Sequence, residues 1–248
     1  MYSQTVASIT RNAAVLPVGS VGAAPTLQDL FKGQAAHAYS AGEAVFWEGD
    51  LAGHIFDVTE GILRVYRILP DGRRAIMGFI YPGDVLGVSF QSRYLFTAEA
   101  VTDVKVRRFS RNRFFALVNE SPELRPQLFA ILCDEMSAAQ DQMLLLGRRS
   151  AEERVVSFLL AVHRKNGVGN AIEVPMSRLD MADYLGLTIE TVSRMMTGLT
   201  RRGLIAATGR HKIALRRINA LREIAGTDDE NGSVSSASSS SRQAIWPN

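Results

Sequence analysis

Cysteine is almost missing from this chain: Cys133 is the only one. A lone thiol makes no internal disulfide, no Cys-rich zinc site and no iron–sulfur cluster, since each needs several sulfurs. Histidine is scarce too. His37, His54, His163 and His211 stand far apart with no ligand spacing, so no metal site is expected. Long apolar runs are absent. No stretch nears the roughly eighteen residues that a membrane helix needs. The start, "MYSQTVASITRNAAVLPVGSVGAAP", is broken by Arg11 and Pro17 and has no basic segment ahead of an apolar one. No secretory signal and no membrane partner are therefore expected, and the cytoplasm is the expected location. Nor is there a nucleophile–base pair or a Gly-rich phosphate loop; the "GDVLG" turn is not one. No catalytic residue is nominated, and the chain does not read as an enzyme.

What remains is the composition of a soluble globular chain. Its 248 residues are 46% apolar and 21% charged, enough for one large domain or two smaller ones. The net charge of +3 is unevenly placed. Residues 148–223 carry fourteen Lys or Arg against seven Asp or Glu; the rest carries fourteen against eighteen. A polyanion would bind the basic half, although a locally basic surface alone has the same composition.

The pattern along the chain changes once. Residues 1–25 read as loosely ordered, and the Ser-rich segment 226–248 as a disordered tail. From about 37 to 110 the signals are those of strands. "AVFWEGD" runs into a turn; "GILRVYRI" alternates in period two; "LPDGRR" supplies turn chemistry; "AIMGFI" resumes the strand; "TAEAVTDVKVRRFS" holds two more. Short strands between Gly turns predict a β-roll or jelly-roll barrel over 26–120.

After residue 110 the period becomes helical. "RNRFFALVNE" is a short helix, and Pro122 is expected to open a long one over 121–147. Phe129, Leu132, Met136, Ala139, Met143 and Leu146 recur at alternating spacings of three and four, a heptad seam. Such a seam joins two copies of a chain, or packs a helix on its own barrel. Cys133 sits one residue off it, either as a small apolar filler or as a redox-sensitive thiol. Gly147 is the expected hinge. Ser150 and Glu153 then form a capping box, and Gly167 ends that helix.

Residues 148–225 contain "SRLDMADYLGLTIETVSRMMTGLTRRGLI". Ser177 and Thr188 read as the caps of two short helices about Leu185-Gly186-Leu187, a helix-turn-helix. "GLIAATGRHKIALRR" adds two strands with a basic tip, a wing. At about 100° per residue, Val192, Met195, Met196 and Leu199 share one side of the second helix. Glu190, Ser193, Arg194, Thr197 and Arg201 share the other. That side is either a solvated face or one that reads DNA. Arg can donate twice to guanine, Glu can accept from cytosine N4, and Ser can meet a base or phosphate. All three stand near the helix N-terminus, the end a recognition helix points into the major groove. Glu190, Ser193 and Arg194 are therefore the base-reading candidates. Thr188, Thr197, Arg201, Arg210 and Lys212 are the backbone-contact candidates.

"LLLGRRSAEERVVSFLL" and "DMADYLGLTIETVSRMMTGLTRRGLI", with "PGDVLG" before them, resemble the cyclic-AMP-receptor-protein/FNR family of bacterial regulators, on its FNR and FixK branch. The resemblance spans about residues 27–222. It implies an α+β fold: an N-terminal cyclic-nucleotide-binding-like β-roll, a long dimerisation helix and a C-terminal winged helix-turn-helix. It also implies a homodimer on a two-fold double-stranded DNA operator, in contact with RNA polymerase. Glu190, Ser193 and Arg194 match the E-x-x-S-R pattern associated with TTGAT…ATCAA half-sites. Ile189 stands where the cyclic-AMP branch carries an extra arginine, which points away from the TGTGA type.

The resemblance also raises the question of an effector. Members that bind cyclic nucleotides carry a Glu for the ribose and an Arg-Ser or Arg-Thr pair for the phosphate. Here Val88 stands near the first position and Phe96-Thr97 near the pair, with Arg93 close by. Without carboxylate and guanidinium, an anionic nucleotide loses its main charge-assisted bonds. Oxygen-sensing members hold an iron–sulfur centre on an N-terminal cysteine cluster, and none stands here. A haem needs an axial ligand, for which His54 is a weak candidate and reads as a surface histidine. No cofactor is expected. FixK-type members lack both devices and need no ligand; they activate genes of microaerobic respiration, denitrification or nitrogen fixation. A sensor of the same fold, whose β-roll binds a cyclic nucleotide or haem, is the alternative.

Overall fold

A computed structural model of the chain describes residues 25–89 and 91–226. The two terminal segments expected to be disordered lie outside these residues, apart from Pro25 and Gly226 at their edges. After a short 3-10 helix at Leu27–Phe31 come eight strands: β1 (Ala36–Tyr39), β2 (Ala44–Phe46), β3 (His54–Glu60), β4 (Leu63–Ile68), β5 (Arg74–Ile80), β6 (Val85–Leu86), β7 (Thr97–Ala100) and β8 (Val104–Ser110). They form two antiparallel sheets, ordered β1-β8-β3-β6 and β2-β7-β4-β5. Phe46, Phe56, Leu63, Val65, Ala98 and Val106 fill the space between them. Gly61 sits at φ 80° in the turn from β3 to β4, and a Cβ there would stand 2.1 Å from the Asp103 carbonyl oxygen, so only glycine fits.

Two helices close the outer face of the first sheet. α1 (Arg111–Glu120) seats Phe114 and Val118 against Phe31, Ile55 and Phe109. α2 (Leu124–Arg148) follows, 25 residues and about 37 Å long. It starts two residues later than Pro122 suggested. The reason is Ser121, whose Oγ accepts from the Leu124 N–H at 3.2 Å and so fixes the first turn. Leu124 and Leu128 are buried in the α1 cluster, and Leu132 packs against it half-buried. The rest of the stripe leaves the body, on both sides of Leu132: Phe129, Met136 and Met143 are 66%, 57% and 67% exposed, and Ala139 and Leu146 are exposed as well.

Gly147, the expected hinge, lies inside α2, and the chain breaks at Arg149 instead. Arg154 decides this. Its guanidinium donates to the carbonyls of Leu146 at 2.7 Å, Arg149 at 3.0 Å and Leu185 at 3.1 Å. It thereby satisfies open carbonyls at the ends of two helices.

The C-terminal part consists of α3 (Ala151–Asn166), β9 (Ala171–Glu173), α4 (Arg178–Leu185), α5 (Ile189–Arg201), β10 (Ile205–Ala207), β11 (Lys212–Leu215) and α6 (Ile218–Ala225). Val155, Leu159, Met181, Leu185, Leu199 and Leu221 form its core, and Ile62, Tyr81 and Leu145 from the first part join that core. The wing therefore has three strands, ordered β10-β11-β9, rather than the two read from sequence. No helix of the described residues is long and apolar enough to cross a membrane.

Candidate nucleic-acid interface

Each polar cap on the helix-turn-helix has a definite partner. Ser177 and Asp180 close a capping box at the start of α4. Gly186 ends that helix in the left-handed region at φ 61°, and its Cβ position faces Leu146 and Arg154 at 3.5 and 3.7 Å. Thr188 caps α5: its Oγ1 accepts from the Thr191 N–H at 3.2 Å. The expected helix, turn and helix are all present, with both predicted caps in use.

α5 divides as its sequence predicts. Val192, Met196 and Leu199 are buried and Met195 is half-buried. Glu190, Arg194, Thr197 and Arg201 are exposed, and Ser193 is half-buried at the edge. Ile189 is 41% exposed at the first turn, on the open side. Thr197 donates its hydroxyl hydrogen to the Ser193 carbonyl at 2.9 Å, which leaves its oxygen lone pairs outward. The amide at the helix start and the Thr188 hydroxyl hold the Glu190 carboxyl below the usual glutamate range. Glu190 is thus an ionised, acceptor-only group, the form that cytosine N4 requires. Among the described residues, no salt bridge neutralises Arg194, Arg201, Arg210 or Lys212, whereas Arg202 next door is tied to Glu152.

The wing stands beside this face. β10 and β11 pair Ile205 with Leu215 and Ala207 with Ile213. The Thr208 N–H donates to the Lys212 carbonyl at 2.9 Å, which closes the loop, and Gly209, Arg210 and His211 form its exposed tip. Lys212 pairs across the ladder with Glu173 on β9. A groove of about 420 Å³ runs between α5 and the wing, lined by Arg178, Ser193, Thr197, Thr200 and Arg201. Sequence reading passed over Arg178 and Thr200. For Arg178 a signal existed: a cation in the first turn opposes the helix dipole, an arrangement that suits the approach of an anion.

The other candidates lie elsewhere. Val88 and Phe96 line a cleft of about 1160 Å³ between β5, β6, α2 and α3. Thr97 is buried, its hydroxyl oxygen accepting from the Glu48 N–H at 3.1 Å. Arg93 does not line the cleft; it donates to the Gly49 carbonyl. The α2 wall of the cleft carries Asp134, Glu135 and Asp141, and burial pushes the Glu135 carboxyl up. Arg149, Arg164 and Lys165 also line the cleft, so its lining carries charges of both signs. His54 lies largely exposed as the first residue of β3; partial desolvation of its ring first, then Arg108 and His37, lower its imidazole pKa. Cys133 is free and exposed on α2. Among the described residues, no group of three or more His, Cys, Asp or Glu could hold a metal.

Known proteins share these domains and this fold. The family model of the Crp-like helix-turn-helix domain matches residues 153–224, and that of the cyclic nucleotide-binding domain matches residues 36–121. The nitrogen fixation regulation protein FixK of Bradyrhizobium diazoefficiens is 46% identical over 172 residues, 68% of this chain and 73% of the relative. The transcriptional activatory protein AadR of Rhodopseudomonas palustris is 45% identical over 186 residues, 73% and 78% of the two chains. The solved structure of FixK2 from Bradyrhizobium japonicum superposes with a TM-score of 0.75 at 37% identity, covering 77% of this chain and 96% of that one.

Proposed function

This chain belongs to the cyclic-AMP-receptor-protein/FNR family of DNA-binding transcription regulators, among its FixK-like members, and we propose that it acts as a homodimer on a TTGAT-N4-ATCAA-like palindrome without a bound effector. The observation that carries this reading is the open face of α5. There Glu190, Ser193 and Arg194 stand together next to the basic wing tip, and among the described residues no salt bridge engages Glu190 or Arg194. Arg194 takes the guanine and Glu190 the cytosine, with Ser193 between them. Thr188, Arg178, Thr197, Arg201, Arg210 and Lys212 hold the phosphates and so set the register. The exposed stripe of α2 joins the two copies, which places two α5 helices about one turn of DNA apart. The protein works in the cytoplasm, mainly as an activator that contacts RNA polymerase. Its targets are genes of microaerobic respiration, denitrification or nitrogen fixation, and only the last of these is what the names of three relatives print.

A titration of the purified chain, with nothing added, tests this on a TTGAT-N4-ATCAA duplex against a TGTGA-type duplex. Tight, salt-dependent binding to the first alone is the expected result. The cleft between the β-roll and α2 favours one second reading, a regulator that needs a small molecule. Binding only after a ligand is supplied would establish that reading in place of the first.

A further inference from the structure

The β-roll surface turned toward α4 carries an ionic cluster that reading DNA does not use. Arg64 on β4 and Arg74 on β5 both donate to Oδ1 of Asp180, from Nη1 at 3.1 Å and from Nη2 at 2.6 Å. Arg74 also donates from Nε to Asp183 at 2.8 Å. The other end of the Arg64 guanidinium pairs with Glu99, its cross-strand partner on β7. Tyr66 donates to the same Glu99 at 2.8 Å, and the Arg74 guanidinium lies 5.5 Å from the centre of its ring. Asp180 is 4% exposed. Its second oxygen accepts from the Ser177 N–H at 3.0 Å and the Ser177 hydroxyl at 2.7 Å. One carboxylate therefore closes the α4 cap and ties that helix to the β-roll.

Stability alone does not account for this cluster. Buried ion pairs add little over apolar residues of the same volume, and their best-attested use is to hold one geometry. The Nε of Arg64 is even left buried without a partner, which costs free energy. What the cluster does supply is direction. α4 and α5 share Met181, Leu185, Val192 and Met196 in one core, so a turn of α4 carries α5 with it. α2 is anchored to the same β-roll through Leu124 and Leu128.

We propose that Asp180, held by Arg64 and Arg74, is the positioning residue that sets the angle of the helix-turn-helix on the β-roll, and thereby the half-site spacing the dimer accepts. The proposal rests on the dimeric DNA-binding reading above. The test uses the full chain and the variants Arg74→Gln, which leaves the α4 cap intact, and Asp180→Asn. Each is titrated on palindromes with half-sites three to six base pairs apart. The preference for the best spacing over its neighbours is expected to fall by about tenfold in both variants, as one geometry is released. Discrimination within a half-site, read at Arg194, stays as it was. A second readout needs no DNA: the distance between nitroxides at Asp71→Cys and Arg210→Cys in a Cys133→Ser background, diluted with unlabelled chain. Its distribution is expected to broaden with Arg74→Gln. Unchanged spacing preference with an unchanged distribution overturns the proposal. So does an equal loss on every spacing with that distribution unchanged, which would assign the cluster to stability alone. Should the unaltered protein bind no duplex at all, the DNA reading falls, while the distance measurement still decides whether the cluster fixes the angle.

Discussion

Two helices of this protein leave a face uncovered, and the two faces differ in kind. α5 exposes Glu190, Arg194, Thr197 and Arg201; α2 exposes Phe129, Met136, Ala139 and Met143. Exposure alone says little about either, because any folded surface contains charges and some apolar atoms. Chemistry separates them. A charged face costs nothing in water and gains where a polyanion meets it. A contiguous apolar face is disfavoured in water and marks a surface that another protein surface covers. The first therefore suits DNA, and the second suits the same stripe on another copy of the chain.

The largest expected effect lies on α2. Met136→Glu would place two carboxylates at the centre of the paired stripe, where leaving charges buried and unpaired costs several kcal/mol. Sedimentation should find a monomer, and palindrome binding should collapse. A variant that still sediments as a dimer would remove the seam from the proposal. On α5 the effect is smaller and more selective. Arg194→Ala should cost about 1–3 kcal/mol per half-site and relax the choice at the guanine. Titration on duplexes altered at that base checks this; an equal loss on all sequences would reduce Arg194 to a phosphate contact. At the wing, Arg210→Ala should weaken binding evenly and lower the salt slope by about one for each phosphate the side chain no longer neutralises. Lys212→Ala should do less, because Glu173 lies across the ladder from it. Smallest of all is Cys133→Ser. Dimerisation and DNA affinity should not change, and the response to peroxide should match that of the unaltered protein. A response that vanishes with the thiol would make Cys133 a redox switch.

What could be read in advance follows from the range of the forces involved. α1 was legible to the residue, because "RNRFFALVNE" lies between a strand and a serine–proline pair. The caps Ser150, Ser177 and Thr188 were legible because each bonds an amide three residues on. β3 was not. Its residues Ile55 to Val58 are buried in a row, since the second sheet packs on one face of the strand and α1 on the other, and so no alternation marks it. β9 is three residues long and exists by pairing with β11, about forty positions away in the chain. α6 also went unread, although Leu221 and Ala225 are buried in the core it shares with α3.

The local sequence alone settles the helix-turn-helix, the split of α5 into a packed and an open side, the apolar stripe of α2 and the lack of metal-binding thiols. These depend on helical periodicity, short-range capping and simple counts, which act over a few residues. Tertiary structure alone settles where the helix-turn-helix faces. Arg64 and Asp180 are 116 positions apart, and no local rule pairs them. Only when the sheets close and α2 carries the chain back does the β-roll present two guanidinium groups to the cap of α4. Long-range contacts of this kind come into being with the packed core, which is why the direction of the open face of α5 belongs to the fold and its chemistry to the sequence.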